Sequence, residues 1–156
     1  MREVNIDIFD SQILRNANAV CFTSNGIVTK NNRLVMGAGV AKLFRDSVPQ
    51  VDLLAGKLVK QNGNVCQEVT SFFHEENGRQ NSVSVVVFPT KNHFKDGADL
   101  SLILRSARRL REIIEKYHWQ MVALPRPGVG LGGFKWEMVR DKLEPFLDNR
   151  VVIVYR

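Results

Sequence analysis

Leu124-Pro125-Arg126-Pro127-Gly128-Val129-Gly130-Leu131-Gly132-Gly133-Phe134-Lys135-Trp136 takes the chain from a strand end through a glycine loop into a helix. Met121–Leu124 is apolar and stops at Pro125, a residue that cannot donate to a sheet ladder. Residues 135–147 then place Trp136, Val139, Leu143 and Phe146 at helical spacing. Gly128, Gly130 and Gly133 spell G-x-G-x-x-G, the pattern of a dinucleotide-binding turn. The context excludes that fold. No βαβ unit follows, and the next apolar run, Val151–Tyr155, ends without an acidic residue. The physics of the loop survives the exclusion. Glycines let backbone N–H groups approach a ligand closely, and a helix N-terminus at Lys135 favours an anion, so the loop reads as a phosphate cradle, with a merely tight turn as the alternative.

Reading outward, Val4, Ile6, Ile8 and Phe9 suggest a first strand, and Ala17–Thr23 a second, more buried one. Residues 25–35 are Gly/Asn-rich and read as a loop. Residues 40–44 form a short helix. Pro49 opens another, with its stripe at Val51, Leu54 and Leu58 and its end at Gly63. Val65–Phe73 and Val83–Phe88 flank an Asn77-Gly78 turn signal and predict a hairpin. Pro89–Gly97 is a loop. Ile103, Ala107, Leu110, Ile114 and Tyr117 mark residues 99–118 as the clearest helix. Strands alternate with helices, and several strands lack a polar face. This predicts an α/β protein with three α/β/α layers, a central mixed, mostly parallel sheet, and one antiparallel hairpin.

The chain has 156 residues, the size of one domain at ~150 residues each, here 1–156. Apolar residues are 44% and charged residues 24%, which excludes wholesale disorder. Lys and Arg outnumber Asp and Glu by 22 to 16, a net charge of +6 that suits an anionic partner. Two cysteines, Cys21 and Cys66, cannot build a disulfide framework, and both sit in apolar runs as reduced core residues. No run approaches the ~20 apolar residues of a membrane span, and the N-terminus lacks the apolar region of a signal peptide. These readings place the chain in the cytoplasm, with no membrane partner. No exposed apolar stripe stands out to fix an oligomeric state; a monomer is the expectation.

Ligands of such sheets bind at the carboxyl ends of the strands. Four segments fall there: Thr23–Gly26, Met36–Gly39, Pro89–His93 and Arg126–Phe134. Met36-Gly37-Ala38-Gly39-Val40-Ala41 is a second glycine element that opens a helix; alone it reads as close helix–sheet packing, but two such loops suggest a diphosphate held from both sides. It is not a Walker loop, because no Gly-Lys-Ser/Thr follows. Lys91 follows a strand end and offers a cation or a nucleophile; a solvated loop lysine is the plainer alternative. His74, His93 and His118 have no metal-ligand spacing, so no metal and no cofactor are expected. Arg105, Arg108, Arg109 and Arg111 make a basic helix face, either solvated or a nucleic-acid footprint.

These segments, together with Val4–Phe9, occur in an order that resembles the macrodomains, which bind ADP-ribose. The likeness covers essentially the whole chain. It is strongest to the branch containing the terminal ADP-ribose protein glycohydrolase and the antitoxin that removes ADP-ribose from DNA. Stand-alone members occur in phages and bacteria, which implies a cytoplasmic site of action, the host cytoplasm for a phage protein. The resemblance implies that Asp7 accepts from the adenine amino group with Ile8 beside it, and that Asn25 orients the distal ribose. It implies phosphate loops at Gly37, Ala38, Gly39 and Val40, and at Gly128, Val129, Gly130, Leu131, Gly132, Gly133 and Phe134. Tyr155 matches an aromatic that stacks on adenine. Lys91, within Pro89-Thr90-Lys91, matches the lysine implicated in catalysis.

The implied activity is hydrolysis of an ADP-ribosyl linkage on nucleic acid or protein. A non-catalytic reader and an ADP-ribose 1″-phosphate phosphatase are its alternatives. The protein-directed hydrolase carries an aspartate where this chain has Gly132, which turns the likeness toward the DNA-directed antitoxin. The longer loop Ile27–Val35, with Lys30 and Arg33, departs from both. It reads as a lid, a nucleic-acid contact or a surface insertion.

Overall fold

A computed structural model describes residues 1–156. The elements are β1 (Arg2–Asn5), α1 (Ser11–Leu14), β2 (Ala19–Ser24), α2 (Gly39–Ser47), α3 (Val51–Asn62), β3 (Gln67–Glu76), β4 (Arg79–Pro89), α4 (Leu100–Tyr117), β5 (Val122–Pro125), α5 (Trp136–Leu143) and β6 (Val151–Tyr155). They build one sheet in the order β1-β6-β5-β2-β4-β3. Every neighbouring pair is parallel except β3 and β4. This is the expected mixed α/β/α architecture.

The uninterrupted apolar strands are explained by burial on both faces. Val20 and Phe22 of β2, Val83, Val85 and Val87 of β4, and Val152 and Val154 of β6 point into a core roofed by α1, α2 and α3. Their alternates Ala19, Cys21, Val86, Phe88, Val151 and Ile153 point into a second core under α4 and α5. The arginine-rich α4 turns Ile103, Ala107, Leu110 and Ile114 inward, as its periodicity predicts. The Asn77-Gly78 turn forms as expected, with φ of 51° and 76° giving the two left-handed residues of a tight hairpin.

Several boundaries differ from the sequence reading; the helix read at 40–44, for example, runs Gly39–Ser47. The first strand ends at Asn5, not Phe9. Its sole neighbour is β6, the register closes at Asn5↔Tyr155, and beyond it Ile8 turns into the core instead of continuing a ladder. The hairpin arms run on to Glu76 and back from Arg79, because polar residues suit an arm that is partly exposed. The last helix stops at Leu143, and Leu147 rather than Phe146 is the buried residue after it. No helix is long and apolar enough to cross a membrane.

The chain moves from β2 outward to β3 and β4 on one side, then returns through α4 to β5 and β6 on the other. The strand order therefore reverses about β2. The exits of β2, β4 and β5 open onto a shared crevice, where a parallel sheet binds its ligands.

Candidate functional site

A cleft of about 630 Å³ occupies that crevice. It is lined by the ends of β2 (Thr23, Ser24, Asn25), β4 (Thr90, Lys91) and β5 (Pro125, Arg126). The two glycine loops and Phe94 complete it. Gly37, Ala38, Gly39, Val40, Gly128, Val129, Gly130, Leu131 and Gly132 all contribute, as do Asn25 and Lys91.

The first loop leads into α2. Ala38 is the N-cap of this helix and has no side-chain hydrogen bond to its first turn. Its first N–H groups and the positive end of its dipole are thus left for an anion. A Cβ added at Gly37 or Gly39 would meet nothing within 4 Å, and Gly39 has φ +58°. These glycines keep a ligand-facing surface open; they do not serve packing.

The second loop is divided in function. Cβ atoms at Gly128 and Gly132 would crowd Ile103 at 2.7 Å and Ala98 at 3.0 Å, so these glycines seat the loop on the protein. Gly130, at φ +70°, and Gly133, at φ +87°, face open space. The loop is closed by the Phe134 N–H donating to the Gly128 carbonyl at 2.8 Å, and the Phe134 side chain packs against the core below it. The Ala98 N–H donates to the Gly132 carbonyl at 3.0 Å and ties this loop to the segment after Lys91.

Lys91 is held by its backbone. Its N–H and that of Thr90 both donate to the Ser24 carbonyl, at 3.3 and 2.9 Å, and its own carbonyl accepts from Asn64 Nδ2 at 3.1 Å. Asn25 is nearly buried, donates through Nδ2 to the Val35 carbonyl at 3.0 Å and accepts the Ile27 N–H at 2.9 Å. It thereby sets the entry to the first glycine loop and keeps one N–H hydrogen free. Lys91 and Arg126 are the charged residues of the lining; no carboxylate, imidazole or thiol joins them.

Five residues named from the sequence lie outside the cleft lining. Gly133 and Phe134 support the second loop from behind. Ile8 is 4% exposed, its side chain committed to the core. Asp7 stands in the turn after β1, where Oδ1 accepts the Phe9 N–H at 2.9 Å. Tyr155 is covered on one face by the Arg126 guanidinium, 3.7 Å from its ring centroid. Arg126 also lies 5.3 Å from the Trp136 ring and 3.6 Å from Glu3. Arg126, not Tyr155, therefore presents itself to the cleft. The sequence reading placed Arg126 in a strand-end segment but gave it no role of its own, though it is bracketed by prolines directly at a strand exit. Ser24 and Thr90 likewise fall in named segments without a role, and Phe94, just past Pro89–His93, was missed.

The Ile27–Val35 segment is not a free lid. Val28 bridges Leu34, Arg33 pairs with Asp52 at 2.9 Å, Lys60 donates to Asn32, and the Leu34 N–H donates to the Asp52 carbonyl. A Cβ at Gly56 of α3 would lie 2.0 Å from the Asn32 carbonyl oxygen, so the hairpin rests directly on the helix backbone.

The sequence matches the Macro domain family over residues 27–143. The chain is a macrodomain. A curated relative from Mycobacterium tuberculosis, named DNA ADP-ribosyl glycohydrolase, is 31% identical over 112 residues, 70% of this macrodomain and 30% of that protein. A Thermosipho africanus DNA ADP-ribosyl transferase–glycohydrolase fusion protein is 27% identical over 129 residues, 72% of this chain and 32% of that protein. This macrodomain thus spans about a third of the length of these relatives. Among solved structures, the macrodomain of M. tuberculosis DarG superposes with TM-score 0.73 at 25% identity, covering 99% of this chain and 97% of that one. Thermosipho africanus DarTG in complex with ADP-ribose gives 0.76 at 21% identity, covering 99% and 41%.

Proposed function

We propose that this macrodomain binds ADP-ribose in the cleft and hydrolyses an ADP-ribosyl linkage on DNA, with Lys91 catalytic. The observation that carries this reading is the lining itself. Two glycine loops flank Lys91, fixed at the exit of β4 and, beside an arginine held against Tyr155, the one lining side chain able to act as acid, base or nucleophile.

The loops suit the diphosphate of ADP-ribose. Backbone N–H groups and the α2 dipole bind anions without a side chain, and an ADP-sized ligand is of the scale of the cleft. Asn25 keeps a donor for a ribose hydroxyl, and Asp7 keeps Oδ2 for the adenine amino group. In the reaction, the bond from C1″ to the acceptor breaks and its electron pair leaves with the acceptor. A water oxygen becomes the new C1″ hydroxyl, and its proton balances the leaving group. Lys91 has two possible jobs, both within amine chemistry. As an ammonium it stabilises and protonates the departing atom. As a free amine it attacks C1″, and water then displaces it. Borohydride trapping of an ADP-ribosyl-lysine adduct separates them.

Gly132 brings no carboxylate, so the lining lacks the general acid expected for a protein-directed enzyme. The relatives' names and the net charge of +6 favour DNA. Residues 1–156 form one domain, and a monomer is the state proposed: Val4, Leu43, Phe73 and Tyr117 are scattered over separate elements, while Phe94 and Leu131 belong to the cleft. The two free thiols suit a cytoplasmic setting. The test is release of free ADP-ribose from ADP-ribosylated DNA, RNA and protein by the purified chain. Turnover of DNA supports the reading; binding of ADP-ribose without turnover of any substrate leaves a reader and ends the hydrolase claim.

A further inference from the structure

A second concave site lies at the pole of the sheet opposite the cleft. It is a pocket of about 170 Å³ between the residue that ends α1 and the β3–β4 hairpin. Arg79, at the start of β4, lines it, whereas Pro89, at the end of β4, leads to the cleft, about 30 Å away at the rise of a strand. No apolar side chain lines the pocket. Arg15 enters from the end of α1 and Arg79 from the hairpin, and neither makes an ion pair. The one carboxylate of the lining, Glu76, is engaged by His74, with Nε2 3.3 Å from Oε2. Glu75 does not line the pocket and accepts from Gln80 Nε2 at 3.0 Å. The walls are fixed. Asn81 spends Nδ2 on the Leu14 and Ala17 carbonyls, at 2.7 and 2.9 Å, which pins the hairpin to α1. The Asn77-Gly78 turn holds the two arms of the hairpin together above it. Two unpaired guanidiniums around one small concavity repel each other, and the concave wall concentrates their field. An oxyanion that accepts from both removes that cost.

We propose that the pocket bounded by Arg15, Arg79 and His74 binds a phosphate group, independently of the cleft. A guanidinium is a planar fork that matches two oxygens of a phosphate, and a phosphate presents enough oxygens for both arginines at once. The two guanidiniums stand against one carboxylate, so the lining keeps an excess of positive charge. Its volume is that of about five or six waters, enough for the phosphate group itself. The lining offers no apolar or aromatic surface to a base or an acyl chain, so whatever carries the phosphate stays in solvent. Two carriers share this chemistry: the phosphodiester backbone of a nucleic acid and a small phosphomonoester. The inference does not rest on the hydrolase reading, because no residue of this pocket lines the cleft.

The experiment follows NMR signals of the full chain at the Arg15 and Arg79 Nε–H groups and the Asn77 and Asn81 amides. The probes are inorganic phosphate, ribose 5-phosphate and an unmodified oligonucleotide, each compared with sodium chloride at equal ionic strength. The inference expects saturable shifts at these groups, with a midpoint of their own, distinct from that of any shifts at Gly39 and Gly130 in the cleft. Combining Arg15→Gln with Arg79→Gln should weaken binding at the pocket at least about tenfold, while the cleft signals titrate as in the parent. Both arginines are exposed, so the variant should stay folded, which a thermal melt checks. Tighter binding of ribose 5-phosphate than of the oligonucleotide supports the site with a small phosphomonoester as its ligand; the reverse order supports it with a nucleic-acid backbone. Shifts that chloride reproduces, shifts confined to the cleft, or pocket shifts that survive in the folded double variant would overturn the inference. The pocket signals are read apart from the cleft, so a folded protein that binds no ADP-ribose would end the proposed function and leave this test intact.

Discussion

The Ser24 carbonyl oxygen at the end of β2 accepts the backbone N–H of Lys91 at 3.3 Å. The lysine is therefore anchored to the central strand of the sheet, not carried on a loose loop. Its position between the glycine loops is fixed by the parallel pairing of β2 with β4, which places Ser24 beside Pro89.

Gly130→Glu should abolish ADP-ribose binding while the protein stays folded. The residue sits at φ +70° and a Cβ there meets nothing within 4 Å, so the new side chain enters the cradle without disturbing the core. The left-handed backbone costs about 1 kcal/mol, while the carboxylate repels the diphosphate. Calorimetry alongside a thermal melt reads both. A folded variant that binds as well as the parent would show that this loop does not hold the phosphates.

Asp7→Asn should keep the turn after β1, because the amide oxygen can still accept the Phe9 N–H. It replaces the free acceptor with a donor that opposes the adenine amino group. We expect about a tenfold loss for ADP-ribose and little change for ribose 5-phosphate, measured by competition. Equal losses for both ligands would remove Asp7 from the adenine site.

Gly56→Ala should destabilise the fold by about 2 kcal/mol or more, since its Cβ must displace the Asn32 backbone carbonyl 2.0 Å away. Denaturant titration measures this. A neutral result would mean that the Ile27–Val35 hairpin is not seated on α3.

Cys21 and Cys66 are fully buried, and burial pushes both thiols above their ordinary value. The folded state therefore holds these protons more tightly than the unfolded chain. Their contribution is complete below the unfolded thiol value, about pH 8.5, and is lost as pH rises above it. Unfolding free energy should fall with an added slope approaching about 1.4 kcal/mol per pH unit for each thiol. Replacing both by alanine should flatten that slope. A disulfide-exchange reagent should find no reactive thiol before unfolding; prompt labelling of the native protein would contradict the burial.

Much of the site was legible because its signals are local. Glycines next to strand exits, and a lysine directly after Pro89-Thr90, can be read without knowing which strands are neighbours. What was missed depends on neighbours. Arg126 becomes a cleft residue covering Tyr155 only because β5 pairs with β6 in parallel, which brings two distant residues face to face. Ile6 and Ile8 alternate like a strand, yet the ladder closes at Asn5 and Ile8 enters the core. The loop at Ile27–Val35 left a lid, a nucleic-acid contact and a surface insertion open, because the backbone contact that clamps it comes from Gly56, far along the chain. The Asn77-Gly78 hairpin, by contrast, needs only its own two residues to set the turn, and it forms as read.

The central claim is that Lys91 performs the chemistry while the loops perform the binding. The most direct measurement compares the parent chain with Lys91→Ala on an ADP-ribosylated single-stranded oligonucleotide, following released ADP-ribose, with calorimetry of ADP-ribose binding to both proteins. The account predicts turnover by the parent, a loss of at least about a hundredfold in the variant, and ADP-ribose affinities of the same order. Undiminished turnover by a folded Lys91→Ala protein would contradict it.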